Sequence, residues 1–354
     1  MADTLPALRP RQAVLRMAPY SPPTGGRANK LRLDFNENTV GCSPQVIEFL
    51  RRSLRADGLA VYPEYGEAKT ALAAFFGVGV EQLLFTNGTD EAIQVLVNTY
   101  VDDGEDVLLL RPSYAMYRFY AEVAGASVRE IDYRPDDLSF PLEELLEAIR
   151  PATRAILIAN PNNPTGTGVS IEGIEKILEK AVNAAVLIDE AYFEFNGVTA
   201  LPLIATRPNL FVSHTFSKVY GMAAMRLGCL FSQAANISYL HKAQSPYSVN
   251  TLAALAATQA IRDTAYIADY VAEVLAARQL LYEGLNKLKI RSFPSQANFV
   301  LFQAGARAIE VRDKLRERDV LVRDRSYELA GCVRVTVGTR RQVRLFLAAL
   351  EEVW

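Results

Sequence analysis

Short apolar runs alternate with longer amphipathic stretches over much of the chain. The runs at 83–86, 106–110, 155–159, 185–188 and 210–213 are bounded by polar or turn-forming residues, the pattern of strands buried inside a sheet. Between them the apolar positions follow a helical period: in 171–182, Ile171, Ile174, Leu178 and Ala181 recur among Glu and Lys. This alternation predicts an α/β fold with a mostly parallel central sheet and helices on both faces. The pattern changes near 236. Residues 250–288 are rich in Ala and Leu with few breakers and predict long helix, followed by strands at 298–302 and 333–337 and helices near 306–317 and 340–352. These outline a smaller α+β region. Pro6, Pro10, Pro19, Pro22, Pro23, Gly25 and Gly26 predict an irregular arm over 1–30. A short apolar stretch follows at 31–35, and Pro44 opens a predicted helix at 44–54. The chain thus divides into an arm (1–30), a large domain (55–239) and a discontinuous small domain (31–54 with 240–354). There is no internal repeat.

Composition narrows the function classes. A length of 354 residues fits two domains sharing an interface. Half of the residues are hydrophobic and 22% are charged, ordinary values for a globular protein. The formal net charge of -2 gives no global basic footprint for nucleic acid or an anionic membrane, although a local anion site stays open. Cys42, Cys229 and Cys332 are far apart with no C-x-x-C, so neither a disulfide framework nor a zinc site is indicated. Only His214 and His241 are available, which argues against a His-rich metal site. The start Met-Ala-Asp carries no signal pattern and no apolar run reaches the length of a membrane span. The expectation is a cytoplasmic enzyme.

Polar clusters follow five of the predicted strands. In Ser213-His214-Thr215-Phe216-Ser217-Lys218, the lysine alone reads as a solvated loop residue. With hydroxyls at Thr215 and Ser217 and a guanidinium at Arg226, it also reads as a Schiff-base lysine beside a phosphate site. Asp189, ending the apolar run before Glu190-Ala191-Tyr192, either caps a turn or pairs with a protonated pyridine nitrogen. Tyr192 either packs its ring or reaches a ring hydroxyl. Asn160-Pro161-Asn162-Asn163-Pro164-Thr165-Gly166 forces a tight turn, from which Asn163 can present its amide to a phenolic oxygen. Gly88, Thr89 and Asp90 open a helix predicted from about 90. Their backbone N–H groups suit a phosphate, while Thr89 or Asp90 equally suits a cap. Tyr114, in Arg111-Pro112-Ser113-Tyr114, either packs on the sheet or lies on a pyridine face. No G-x-G-x-x-G follows a strand, which speaks against a Rossmann dehydrogenase.

Taken together, N-P-N-N-P-T-G at 160–166, D-E-A-Y at 189–192, T-F-S-K at 215–218 and G-C-V-R-V-T-V-G-T at 331–339 resemble the fold-type I, pyridoxal 5'-phosphate (PLP)-dependent aminotransferases. Within them the chain looks most like the histidinol-phosphate aminotransferase family, from about Pro19 to the C-terminus. The resemblance implies that Lys218 carries the cofactor and shuttles a proton, Asp189 holds the pyridine nitrogen protonated, and Asn163 and Tyr192 bond the ring hydroxyl. It implies that Tyr114 stacks on the ring and that Gly88, Thr89, Asp90, Thr215, Ser217 and Arg226 surround the phosphate. Tyr62, in Val61-Tyr62-Pro63-Glu64, matches a tyrosine contributed across a dimer interface, implying a homodimer with shared active sites. Arg334, Arg323, Tyr20 and Asn163 would contact substrate. The implied reaction moves an amino group between an amino donor and an oxo acceptor, specifically histidinol phosphate and 2-oxoglutarate in histidine biosynthesis. An aromatic or other amino-acid aminotransferase and a PLP decarboxylase of a phosphorylated amino acid are the alternatives. A PLP-binding regulator would normally need an additional module. Where the family usually reads Leu-Ala-Gly-Leu-Arg, this chain has Met222-Ala223-Ala224-Met225-Arg226, which places an added methyl group near the cofactor phosphate. Thr39-Val40-Gly41-Cys42 also departs from the usual small, proline-containing segment.

Overall fold

Strands of unbroken apolar sequence occupy the middle of a seven-stranded sheet, where both faces are covered. The computed structural model describes residues 8–19 and 25–354. In chain order its strands are β1 (Leu31–Arg32), β2 (Leu83–Thr86), β3 (Asp106–Arg111), β4 (Ser127–Asp132), β5 (Thr153–Ala159), β6 (Ala185–Asp189), β7 (Leu210–Thr215), β8 (Gly228–Phe231), β9 (Phe299–Gln303), β10 (Val320–Leu321), β11 (Arg323–Asp324) and β12 (Cys332–Thr336). The large sheet has the order β2-β8-β7-β6-β5-β3-β4. β8 runs antiparallel to both neighbours, and the other six strands share one direction. Alternate residues feed two cores. Ile156, Ile158, Val186, Ile188 and Val212 face one side, with the helix Ile171–Lys180. Leu157, Leu187 and Phe211 face the other, with the helix Gly88–Tyr100. Each fully buried side chain of this size contributes about 1.5–3 kcal/mol. The six codirectional strands therefore end along one edge, the edge at which ligands bind in such sheets.

The C-terminal region forms a three-stranded antiparallel sheet, β11-β12-β9, covered by the helices Ala308–Glu317 and Arg340–Val353. β1 pairs in parallel with β10, Leu31 opposite Val320. That pairing delivers the next residues, Asp34–Asn38, to the space between the two larger sheets.

Three expectations are corrected. Residues 250–288 form two helices, Thr251–Ala260 and Thr264–Lys287, because the Asp263 side chain accepts from the Tyr266 N–H and caps a new start. The helix expected from about 90 begins at Gly88, so Thr89 and Asp90 lie in its first turn and neither is its cap. Within the arm, Gln12–Arg16 forms a short helix. No helix among the described residues is long and apolar enough to cross a membrane.

Candidate active site

A cavity of about 570 Å³ opens at the strand ends and gathers residues from β3, β5, β6, β7, β11 and β12 and their following loops. Lys218 lies three residues beyond β7, half-buried. Its Nζ donates to the Phe35 carbonyl at 3.0 Å and stands 5.7 Å from the centroid of the Tyr192 ring. The turn behind it is closed by the Gly221 N–H on the Lys218 carbonyl (3.1 Å). Gly221 has φ +69°, and a Cβ there would lie 2.4 Å from the Gly41 backbone, so only glycine fits.

Asp189 ends β6 and is 3% exposed. Tyr117 Oη donates to its Oδ2 at 2.8 Å and Ser213 Oγ to its Oδ1 at 2.9 Å. No cation pairs with it among the described residues, and burial pushes its carboxyl up to about 6. A carboxylate held by two neutral hydroxyls at this depth calls for a positive partner, which the protonated nitrogen of PLP would be. Tyr192 Oη accepts from Asn36 Nδ2 at 3.0 Å. Tyr114 Oη donates to Asp90 Oδ1 at 2.7 Å. Burial, then the Asp90 charge, raises the Tyr114 phenol far above its ordinary range and keeps it a neutral donor.

A cradle of residues that could hold a phosphate lies beside these groups. Thr89, Thr215, Ser217 and Arg226 line it, and the helix Gly88–Tyr100 starts there without a side-chain cap. Its first N–H groups are therefore open to an anion. Gly88 has φ +72°, and a Cβ at this position would sit 2.5 Å from an Arg226 guanidinium nitrogen. Asp90 ties the cradle together by pairing with Arg226 at 3.2 Å while accepting from Tyr114. The absent Cβ of Gly88, the uncapped helix start and the unpaired Asp189 together fit PLP. Ala224 is exposed and does not line the cavity, so its methyl group does not intrude on the cradle, contrary to the sequence expectation.

At the wall from the small sheet, Arg334 on β12 is 4% exposed. It donates to Asn163 Oδ1 and, at 2.6 Å, to the Asp34 carbonyl. Burial, then Arg325 nearby, lowers its guanidinium to about 10. Arg323 on β11 stands directly opposite it in the antiparallel register and lies over Phe35, 5.6 Å from the ring centroid. Like charges opposite one another on a sheet repel, so this pair is suited to an incoming anion.

Lys218, Asp189, Tyr192, Asn163, Thr89, Asp90, Tyr114, Thr215, Ser217, Arg226, Arg323 and Arg334 all line this one cavity. Tyr62 does not: it is 74% exposed and stacks on Tyr247 with ring centroids 4.5 Å apart. Tyr20 lies outside the described residues. Among the described residues no cluster of His, Cys, Asp and Glu is suited to a metal ion. The sequence reading assigned no role to Phe35, Asn36, Glu37, Tyr117, Ser213 or Arg325. Tyr117 lies one helical turn from Tyr114, and Arg325 two residues from Arg323; those spacings were the available signals. For Phe35–Glu37 the β1–β10 pairing is decisive, and local pattern does not reveal it.

Residues 28–350 match the family model for aminotransferase class I and II. The chain is 34% identical over 364 residues to the histidinol-phosphate aminotransferase of Bacillus subtilis (strain 168), covering 98% of this chain and 100% of that protein. It is also similar to the solved structure of histidinol-phosphate aminotransferase from Sinorhizobium meliloti in complex with pyridoxal-5'-phosphate. That match has TM-score 0.83 and 25% identity and covers 91% of this chain and 90% of that one. The enzyme of the same name from Clostridium acetobutylicum matches with TM-score 0.84 and 25% identity, over 91% of this chain and 98% of that one. A cavity whose residues fit PLP, on a fold and sequence shared along nearly the whole length, leads to one conclusion: this chain belongs to the class I and II aminotransferases and is a PLP-dependent enzyme of fold type I.

Proposed function

We propose that the chain transfers an amino group from histidinol phosphate to 2-oxoglutarate, or in the reverse direction, as a cytoplasmic homodimer in histidine biosynthesis. The observation that carries this reading is that Arg323 and Arg334 stand opposite each other on adjacent strands at the cavity wall, neither of them ion-paired to a carboxylate among the described residues. Such a pair suits the phosphate of one substrate and the distal carboxylate of the other. The names of the relatives support the same choice.

When bound, PLP supplies an electron sink for the bonds around the amino-bearing carbon. The residues of this chain do the rest. Lys218 Nζ would take the proton from that carbon and return it to the cofactor carbon on the far side of the transferred nitrogen. Asp189 holds a proton at the ring nitrogen, supported by Tyr117 and Ser213. Asn163 and Tyr192 orient the ring hydroxyl, and Tyr114 covers the ring. Gly88, Thr89, Thr215, Ser217 and Arg226 hold the phosphate, with Asp90 positioning Arg226. The two partner substrates alternate in one site, so kinetics are ping-pong. Tyr62, projecting into solvent from its own chain, reaches the site of a second copy.

The test supplies the PLP-loaded protein with 2-oxoglutarate and, separately, histidinol phosphate, histidinol, phenylalanine and tyrosine. Glutamate should form fastest, at the highest kcat/KM, with histidinol phosphate. Equal or better turnover of the unphosphorylated amines would replace this substrate with an aromatic one. Release of carbon dioxide from a phosphorylated amino acid would replace transamination with decarboxylation.

A further inference from the structure

Arg325 belongs to the substrate wall, yet the roles above leave it without one. It follows β11 and opens the loop that returns to β12. That loop is already knit by its backbone: Arg325 N–H donates to the Cys332 carbonyl (2.9 Å), and Glu328 and Leu329 N–H donate to the Arg325 carbonyl (3.0 and 2.9 Å). Asp324 adds contacts to the Ser326 N–H (3.0 Å) and hydroxyl (2.6 Å). The loop therefore does not depend on a buried cation for its shape.

The side chain is nonetheless buried, 9% exposed, and lines the cavity with Arg323, Arg334 and Tyr327. Its guanidinium donates to Tyr327 Oη at 2.8 Å, lies 5.2 Å from that ring centroid and pairs with Glu328. The buried Nε atoms of both Arg325 and Arg334 have no partner. Glu328 is the sole carboxylate paired with any of the three arginines among the described residues. Arg325 bears on the Arg334 guanidinium more strongly than Arg323 does, pushing it further below its ordinary range. Three guanidinium groups against one carboxylate is a costly wall when empty and a selective one when filled. A carboxylate end group brings one negative charge, whereas a phosphate monoester brings nearly two.

We propose that Arg325 is a specificity-determining residue, the third guanidinium of the substrate-anion subsite, and that Glu328 limits its charge. It biases the site toward a phosphate monoester over a carboxylate. This rests on the substrate reading given above. Glu328 keeps the bias incomplete, so that a dicarboxylate partner still enters and leaves. Specificity of this kind is a difference between two affinities, set here by one ion pair.

The experiment uses the PLP-loaded protein and two competitors of transamination, inorganic phosphate and glutarate. In Arg325→Gln the inhibition constant for phosphate rises about tenfold, the loss of one charge-assisted contact, and that for glutarate at most about threefold. Glu328→Gln frees the guanidinium and shifts phosphate inhibition the other way, to tighter binding. A merely structural ion pair would loosen the wall in both variants, so shifts of the same sign, or none, overturn the proposal. Arg325→Lys keeps the charge and should retain most of the phosphate inhibition; a loss as large as that of Arg325→Gln would also overturn it. Comparing histidinol phosphate with histidinol on the unaltered protein tests the substrate reading separately. No preference there removes that substrate, while the phosphate and glutarate constants still decide Arg325.

Discussion

Asp189 sits at the end of an apolar strand with only hydroxyl partners, and this has a measurable consequence before any substrate is added. In the cofactor-free protein its carboxyl is raised to about 6, against about 4 for a solvated aspartate. A raised acid favours the folded state in its protonated form. Its stabilisation is therefore complete below about pH 4 and is lost as pH rises through about 6, roughly 3 kcal/mol in all. Urea unfolding of the cofactor-free protein and of Asp189→Asn, each from pH 4 to 7, isolates this contribution. The difference between the two should change across that window, and a flat difference would refute the assignment. Gly88→Ala should weaken PLP binding at least about tenfold, because a side chain at positive φ is strained and the new methyl group meets Arg226. Equilibrium dialysis of PLP reads this; unchanged affinity would place the phosphate elsewhere. The residues at strand ends were legible in the sequence because each follows directly on an apolar run. Tyr117 and Ser213 were not: a hydroxyl inside a helix or a buried strand reads as packing until its acceptor is known.

At the scale of elements, the central parallel strands could be read because both of their faces are buried, which leaves an apolar run with no alternation. The edge strand β4, Ser-Val-Arg-Glu-Ile-Asp, lacks that signature because it is only partly buried, and its Arg129 pairs with Asp106 on β3. The reversal of β8 leaves no local trace either. Pairing direction is a property of neighbours, and Gly228 matters because it lets β8 approach the start of the helix Gly88–Tyr100. The break between Thr251–Ala260 and Thr264–Lys287 was hidden by helix-favouring composition on both sides of Asp263. Asp263 also accepts from Ser43, the cap of the helix Pro44–Ser53, so two helix starts meet at one carboxylate. Asp263→Ala should lower stability by about 1–2 kcal/mol in thermal or urea unfolding and leave PLP affinity unchanged. Full stability would mean that the cap adds nothing to the break.

Across the whole molecule, the site is assembled from parts distant in sequence. The large sheet supplies Asp189 and Lys218, the small sheet supplies the arginines, and the segment after β1 joins them, with the Phe35 carbonyl on Lys218 and the Asp34 carbonyl on Arg334. Arg27 holds that segment from outside by pairing with both Asp34 and Glu37. In the proposed homodimer the exposed Tyr62 would complete the site of a second copy. Lys218→Ala and Tyr62→Ala, each impaired alone, should recover activity when unfolded and refolded together, since a mixed dimer then owns one site with both native residues. Absence of recovery would confine Tyr62 to its own chain. The most direct test of the account is to reduce the PLP-loaded protein with borohydride, digest it and locate the modified lysine by mass spectrometry. A single pyridoxyl adduct on Lys218 is expected, absent after incubation with an amino donor that releases the lysine. An adduct on any other lysine, with Lys218 unmodified, would contradict it.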